Sequence, residues 1–322
     1  MRVALLPTGR TEWRGLPGAL RRLFPGDSNL EFFVLPTASE VLSNPDGFPY
    51  PGFTSNALTV ADEVSPPESA MELVGRAAQA ALGDRHVEPA DLVVVLDDLE
   101  LANAGQADRV CRVFRAAVTQ HLAKLGSGAV EARTRSALVQ RVSFHLLVPM
   151  VEALFFADEG ALRAAGVPEG RHVEFTSERD PEAFVTADPE YRLATADDCP
   201  CWHQLPQERR QQVLRKKKLR PKWIEGRREV HPKGYLQWLC RDGALPACTR
   251  YDETVGGGQA LAGIGWAEVL GRPAAQLQFL RAFVADVADA LDQAPGVGSI
   301  HDPQAAETSR FTSRPRPVLR NL

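Results

Sequence analysis

The stretch "ADLVVVLDDLE" (90–100) constrains the fold more than any other: an unbroken apolar run of β-formers stops abruptly in acid. It reads as a buried strand with Asp97, Asp98 and Glu100 at its tip. Carboxylates this close repel one another and resist losing water. Three of them at a strand end therefore mean either solvent exposure or a cation to hold.

The segments around it alternate between two periodicities. "RVALLP" (2–7), "LEFFVLP" (30–36) and "ALVQRVSFHLLVP" (137–149) read as further strands. Helical spacing marks 11–24, 67–83, 107–126 and 150–166, with Gly83 and Gly126 as stops. Residues 37–68, rich in Pro, Gly, Ser and Asn, read as a long loop. Strands alternating with helices imply an α/β fold with a mainly parallel sheet flanked by helices. Ligands of such sheets sit at the carboxyl ends of the strands, where these acids fall.

Acids follow the other strands as well. Glu12 comes after the first and Glu152 after the fourth. Side chains two apart on an extended segment share a face, so Asp98 and Glu100 are expected to address one ion. Acidic oxygens suit Mg²⁺ or Mn²⁺. The plainer alternative is that these are solvated loop acids.

The second half differs in character. Residues 208–233 are strongly basic and carry Arg215, Lys216, Lys217, Lys218, Arg220, Lys222 and Trp223. In a chain of net charge −4 this density suits a nucleic-acid backbone, with Trp223 and Trp202 as stacking surfaces, or an acidic partner. Helical patterns follow in 251–270 and 276–292, and a Pro/Ser/Arg-rich tail after Gly296 reads as a flexible arm. The organisation expected is an α/β domain over 1–165, a basic, mainly helical region over 166–295 and a tail over 296–322.

Other signals carry less. Cys199, Cys201 and His203, with Cys240 and Cys248 downstream, supply enough ligands for Zn²⁺, but Cys-x-Cys is not a finger spacing and reduced, buried thiols are the simpler reading. "VGGGQ" (255–259) lacks the spacing of a phosphate loop and reads as a flexible turn. His145 reads as a hydrogen-bonded core histidine and Cys111 as core. Five cysteines do not form a disulfide framework, and no stretch approaches the roughly 18 apolar residues of a membrane span. A cytoplasmic protein is expected, with no membrane partner and a homo-oligomer left open.

The order "GRTE" after the first strand and "VVVLDDLE" after the third resembles a TOPRIM domain. "SFHLLVPMVEALFFADEGAL", "HPKGYLQWLC" and "YDETVGGGQALAGIGWAEVL" resemble an uncharacterised bacterial TOPRIM-like family, distantly similar to the overcoming-lysogenization-defect nucleases. The resemblance covers roughly 1–35, 90–165 and 230–290. It implies a TOPRIM-like fold and a Mg²⁺-dependent nuclease or phosphodiester-processing enzyme in anti-phage defence, with an ATPase as a possible partner. Glu12 would match the second glutamate of the nuclease signature, Asp98 and Glu100 the acidic pair, and Glu152 the later helix glutamate. Glu12, Asp97, Asp98 and Glu100 would hold metal, Lys233 would neutralise phosphoryl charge and His231 would carry a proton. Thr8 stands where the nucleases have their first glutamate. That departure implies the alternative: a weakened subunit that binds nucleic acid or a partner ATPase and regulates it.

Overall fold

Four strands, β1 (Arg2–Pro7), β2 (Glu31–Val34), β3 (Leu92–Asp98) and β4 (Val142–Leu147), form one sheet in the order β2-β1-β3-β4. Every neighbouring pair is parallel. The protein is thus α/β, as the alternation of patterns implies. The structure, a computed structural model, describes residues 1–26, 29–43, 52–85, 87–194, 207–208, 228–241 and 251–298. The chain leaves β1 towards β2 on one side, then returns to place β3 on the other. The β1/β3 junction is therefore where strand order reverses, and parallel sheets place ligands beyond the carboxyl ends at such a point.

Parallel strands need crossovers, and here they are helical. Helices α1 (Arg10–Leu23), α2 (Ala38–Ser43), α3 (Val60–Val64) and α4 (Glu68–Leu82) lie between β1 and β3. Thus the segment 37–68 is not structureless. Its α3 carries a capping box in which the Asp62 side chain accepts from the backbone N–H of Thr59. Helices α5 (Ala107–Lys124) and α6 (Ala129–Arg141) precede β4. The strand expected from residue 137 begins only at Val142, because the apolar residues Ala137 and Leu138 belong to the end of α6. The single helix expected over 150–166 is two, α7 (Glu152–Phe155) and α8 (Glu159–Ala164). Asp158 separates them, accepting from the Gly160 N–H as the N-cap of α8.

The sheet is covered on both faces. Ala4, Leu6, Val93, Val95, Phe144 and Leu146 face α4, α5 and α6, where the Phe114 and Phe144 rings stack 4.0 Å apart. Val3, Leu5, Val94 and Leu96 face α1 and the C-terminal helices. These are α9 (Pro189–Leu193), α10 (Pro232–Leu239), α11 (Gly258–Ala262), α12 (Trp266–Leu270) and α13 (Gln278–Leu291). One core runs from Val3 through Leu261 to Val287, so the later helices share the sheet's own core across residue 165. Helix α13 is tied to β4 by a buried polar knot. Ser143 Oγ and His145 Nε2 bond each other, and each lies 3.2 Å from Asp286 Oδ2. Serine and aspartate both meet the same ring nitrogen, so the knot is a packing device rather than a nucleophile–base–acid relay.

The triple glycine of "VGGGQ" corrects the expectation of a flexible turn. A π-helical turn (Glu253–Gly257) leads into α11, and a Cβ on Gly257 would lie 2.8 Å from Thr11 Oγ1 and from Tyr251 Oη. A Cβ on Gly15 of α1 would lie 2.6 Å from both Gly258 O and Leu261 Cβ. Glycine here lets two backbones touch. Helix propensity alone makes Gly→Ala stabilising by about 1 kcal/mol, whereas overpacking costs about 1–3 kcal/mol. Gly15→Ala is therefore expected to destabilise the protein by about 1 kcal/mol, and by no more than about 2 kcal/mol, read as a lowered urea midpoint; a raised midpoint would show that α1 and α11 are not in such close contact.

Candidate functional site

Beyond the carboxyl ends of β1, β3 and β4 lies a cleft of about 290 Å³. Six acids line it, Glu12, Asp97, Asp98, Glu100, Glu152 and Glu253, against two cations, Arg10 and Lys233. Asp97 and Asp98 end β3, Glu100 follows two residues on, and Glu12 and Glu152 stand at the start of α1 and α7, the helices that follow β1 and β4. The sixth arrives with the π-turn, far along the chain.

Alternation along the strands decides where the acids point. Asp97 shares a face with Val95 and Thr8 with Leu6, and the Thr8 hydroxyl donates to Asp97 Oδ1. Thr54 Oγ1 approaches Asp97 Oδ2 at 3.3 Å and donates to Asp98 O at 2.7 Å. Gly52 approaches so closely that a Cβ there would lie 2.7 Å from Asp97 Oδ1. Asp97 is thus clasped by hydroxyls through both oxygens. Asp98 points the other way, and its Oδ1 accepts the Val151 N–H at 3.0 Å, which ties β3 to the chain beyond β4.

Glu12 sits in the first turn of α1 and is 1% exposed, with Oε1 lacking any hydrogen-bond partner among the described residues. Its carboxylate folds back over Gly9, where a Cβ would collide with it. A buried carboxylate oxygen with no partner is costly unless something outside the protein satisfies it. Glu152, 2% exposed, is by contrast occupied: Tyr251 Oη donates to its Oε1 at 2.7 Å, and Lys233 Nζ lies 3.7 Å from the same atom. Lys233 also pairs with Glu253. The Thr11 hydroxyl donates to Glu253 O at 3.2 Å, fastening the π-turn to the start of α1.

The electrostatics follow from this crowding. Burial first, then the Glu152 charge, pushes Glu12 up to about 8 from its ordinary 4.5. Burial, with Glu100 adding, pushes Asp97 up to about 7 against the pull of its Thr8 and Thr54 bonds. Asp98 is driven well above the carboxylate range by burial and then by Glu12, Glu100 and Glu152. Burial opposes the Lys233 charge, yet Glu152 and Glu253 outweigh it and hold the ammonium protonated. The cleft therefore resists holding all of its acids ionised at once, and without an added cation protons do part of the balancing.

Glu100 departs from expectation. Strand β3 stops at Asp98, and Glu100 has φ 61° and ψ 151°, so the two-apart argument for an extended segment does not hold. It still lines the cleft and its charge acts on both Asp97 and Asp98. That backbone region is nearly exclusive to glycine and costs other residues about 1–3 kcal/mol; such strain gathers at functional sites. Glu100→Gly is expected to raise stability by about 1 kcal/mol in chelator while weakening any divalent-cation response; a stability loss in urea titration would show that Glu100 carries no such strain.

The remaining expectations divide. Lys233 reaches the cleft. His231 does not line it; its Nδ1 accepts the Gly234 N–H as the N-cap of α10. The reason is position: a residue just before a helix turns its side chain onto the first turn. An acid of the 37–68 segment could in principle replace the glutamate missing at Thr8, but Asp62 stays with Thr59 and does not line the cleft, while Asp46 lies outside the described residues. So do Arg215, Lys216, Lys217, Lys218, Arg220, Lys222 and Trp223, and likewise Cys199, Cys201, Trp202, His203 and Cys248. Cys111 and Cys240 are buried thiols, the former pushed up to about 12 by burial. Residues unforeseen at the cleft are Glu253, Tyr251, Thr54 and Arg10. A larger hollow of about 520 Å³ near the end of α10 is less promising, since Arg241 there is already stacked 3.7 Å over Trp238 and paired with Glu190.

The donor set bears on what cation could fit. Among the described residues no three His, Cys, Asp or Glu side chains form a ready metal cage. A closed structural site is thus not what this cleft offers. Mg²⁺ commonly takes only one or two carboxylates and fills its sphere with water and substrate phosphate. Glu12 with its partnerless oxygen, beside Asp98, suits that open kind of site. No helix among the described residues is long and apolar enough to cross a membrane. No family model, no curated protein and no solved structure matches the chain.

Proposed function

We propose that the acidic cleft is the cation-dependent site of a TOPRIM-type phosphodiesterase, acting on nucleic acid in the manner of the nucleases this sequence resembles. The observation that carries the reading is the buried Glu12 Oε1, without a hydrogen-bond partner among the described residues, amid acids gathered beyond three adjacent parallel strand ends. Glu12 and Asp98, with Glu100 beside them, would hold Mg²⁺ or Mn²⁺. Such an ion, when bound, polarises a phosphoryl oxygen and lowers the pKa of an attacking water. The protein's own contributions are distinct. Arg10 is exposed at the start of α1 and makes no ion pair among the described residues, so it is placed to meet a phosphate at the mouth of the cleft. Lys233 stands deeper, fixed by two carboxylates. The basic segment 208–233 would track the rest of the polymer. Cytoplasmic anti-phage defence beside an ATPase is the biological setting this reading carries with it.

A second reading, a weakened regulatory subunit that binds nucleic acid or a partner ATPase, is favoured by Thr8. Its hydroxyl clasps Asp97 in the place of the nucleases' first glutamate. The test is incubation of the purified protein with supercoiled plasmid, linear duplex and single-stranded RNA in Mg²⁺, Mn²⁺ or EDTA. Metal-dependent cutting lost in Asp98→Asn and Glu100→Gln supports the first reading. No cutting, together with no heat of metal binding, supports the second.

A further inference from the structure

The acids of the cleft fall into two groups by what already satisfies them. Glu152 Oε1 receives the Tyr251 hydroxyl and faces Lys233 Nζ, and Glu253 pairs with the same ammonium. These two carboxylates are neutralised from within. On the other side, Glu12 Oε1 has no partner among the described residues, and Asp98 is engaged through Oδ1 by one backbone N–H. Lys233 is about four-fifths buried, so its charge is fixed in place rather than swinging in solvent.

We propose that Lys233 Nζ serves as the second cation of this cleft, so that the site takes one divalent ion, on its Glu12–Asp98 side, where a two-ion site would need a second. The inference rests on the reading of the cleft as a cation site and adds its stoichiometry and the role of this lysine. Two divalent ions bridging a phosphodiester stand about 3.5–4 Å apart. An ammonium held on Glu152 and Glu253 occupies the carboxylates that a second ion would need, and repels one from their vicinity. It also brings a fixed positive charge that needs no loading from solution. Removing it leaves two acids without their counter-charge, one of them deeply buried, and a buried ion pair broken from one side leaves a strong demand for a replacement cation. Tyr251, donating to Glu152, and Thr11, holding the π-turn backbone at Glu253, keep this half of the site assembled when the lysine is changed.

Counting bound Mn²⁺ by equilibrium dialysis, with electron paramagnetic resonance on the same samples, tests this on the full chain. The native protein is expected to bind one ion, Lys233→Met two, and Lys233→Arg one. The double variant Lys233→Met, Glu253→Gln is expected to return to one, because half of the vacated carboxylate pair is gone. Asp98→Asn is expected to lose the native ion. Two ions on the native protein would overturn the proposal, as would a folded Lys233→Met variant that still binds one. No ion on the native protein would overturn the underlying cation reading as well, so the two failures are distinct. Far-ultraviolet circular dichroism checks the folding of each variant; should Lys233→Met fail to fold, the native count still decides between one ion and two.

Discussion

On the proposed reading, Asp98→Asn is expected to lower metal-dependent cleavage by about 10²–10³-fold and to weaken Mn²⁺ binding, while Asp97→Asn costs only about tenfold. The two residues are adjacent and chemically identical, yet strand geometry sends them to opposite faces. Asp97 is held through both oxygens by Thr8 and Thr54, and asparagine can keep those contacts by offering its oxygen to one hydroxyl and its amide to the other. Asp97 is also 1% exposed, so losing its charge removes a desolvation cost. Asp98 meets Glu12, Glu100 and Glu152 across the cleft, and asparagine there removes charge from the place a cation would sit. The comparison is made by cleavage rate and Mn²⁺ affinity on both variants. Equal losses would mean that Asp97 belongs to the cation's own ligands and that its hydroxyl clasp opens on binding.

This contrast marks how far the sequence alone could go. The apolar run of β3 announces a strand covered on both faces, and its acidic end, together with Glu12 and Glu152, announces a site at the carboxyl edge. Those signals are local, so they are legible. The junction of α6 with β4 at Arg141–Val142 is not, because no glycine or proline stands between them and apolar residues continue through both. The triple glycine looks like slack until α1 is seen lying against it. Glu253 and Tyr251 show no local mark of belonging to the cleft; they reach Lys233 and Glu152 only because the C-terminal helices share the sheet's core. Glu100 shows the limit of periodicity: the i, i+2 argument assumes that the strand continues, and here the backbone turns two residues early.

The Thr8 departure also gains a physical content that the resemblance alone could not supply. A threonine cannot act as a base, but it can donate, and here it stabilises the charged form of Asp97 against burial. A hydroxyl at this position, where the nucleases that the sequence resembles carry an acid, leaves one carboxylate fewer in an already crowded cleft. Fewer charges need balancing, which is consistent with a lysine and a single divalent ion sufficing.

The metal-free protein is expected to lose stability as pH rises, opposite to proteins whose carboxylates are ion-paired. Glu12 stands at about 8 in the folded state against its ordinary 4.5, and Asp97 at about 7 against 3.8. A carboxyl group with a raised folded value holds its proton in the native state after the unfolded chain has released it. The native state then binds more protons across roughly pH 4–8, so stability falls through that window. Every tenfold difference in proton affinity between the folded and unfolded chain is worth about 1.4 kcal/mol, so the rises in Glu12 and Asp97 together set a loss of up to about 9 kcal/mol across the whole window. Thermal melts in EDTA are expected to drop by about 10 °C between pH 5 and pH 8. Glu12→Gln, which keeps the shape without the charge, is expected to flatten that slope. Mg²⁺ or Mn²⁺ added at pH 8 is expected to restore part of the loss, about 2.7 kcal/mol at a hundredfold excess over Kd. A melting temperature that climbs from pH 5 to pH 8 in EDTA would contradict the burial of unneutralised acids. A falling one that ignores both ions would leave the acids buried but without a cation to hold, and would favour the partner-binding role to which Thr8 points.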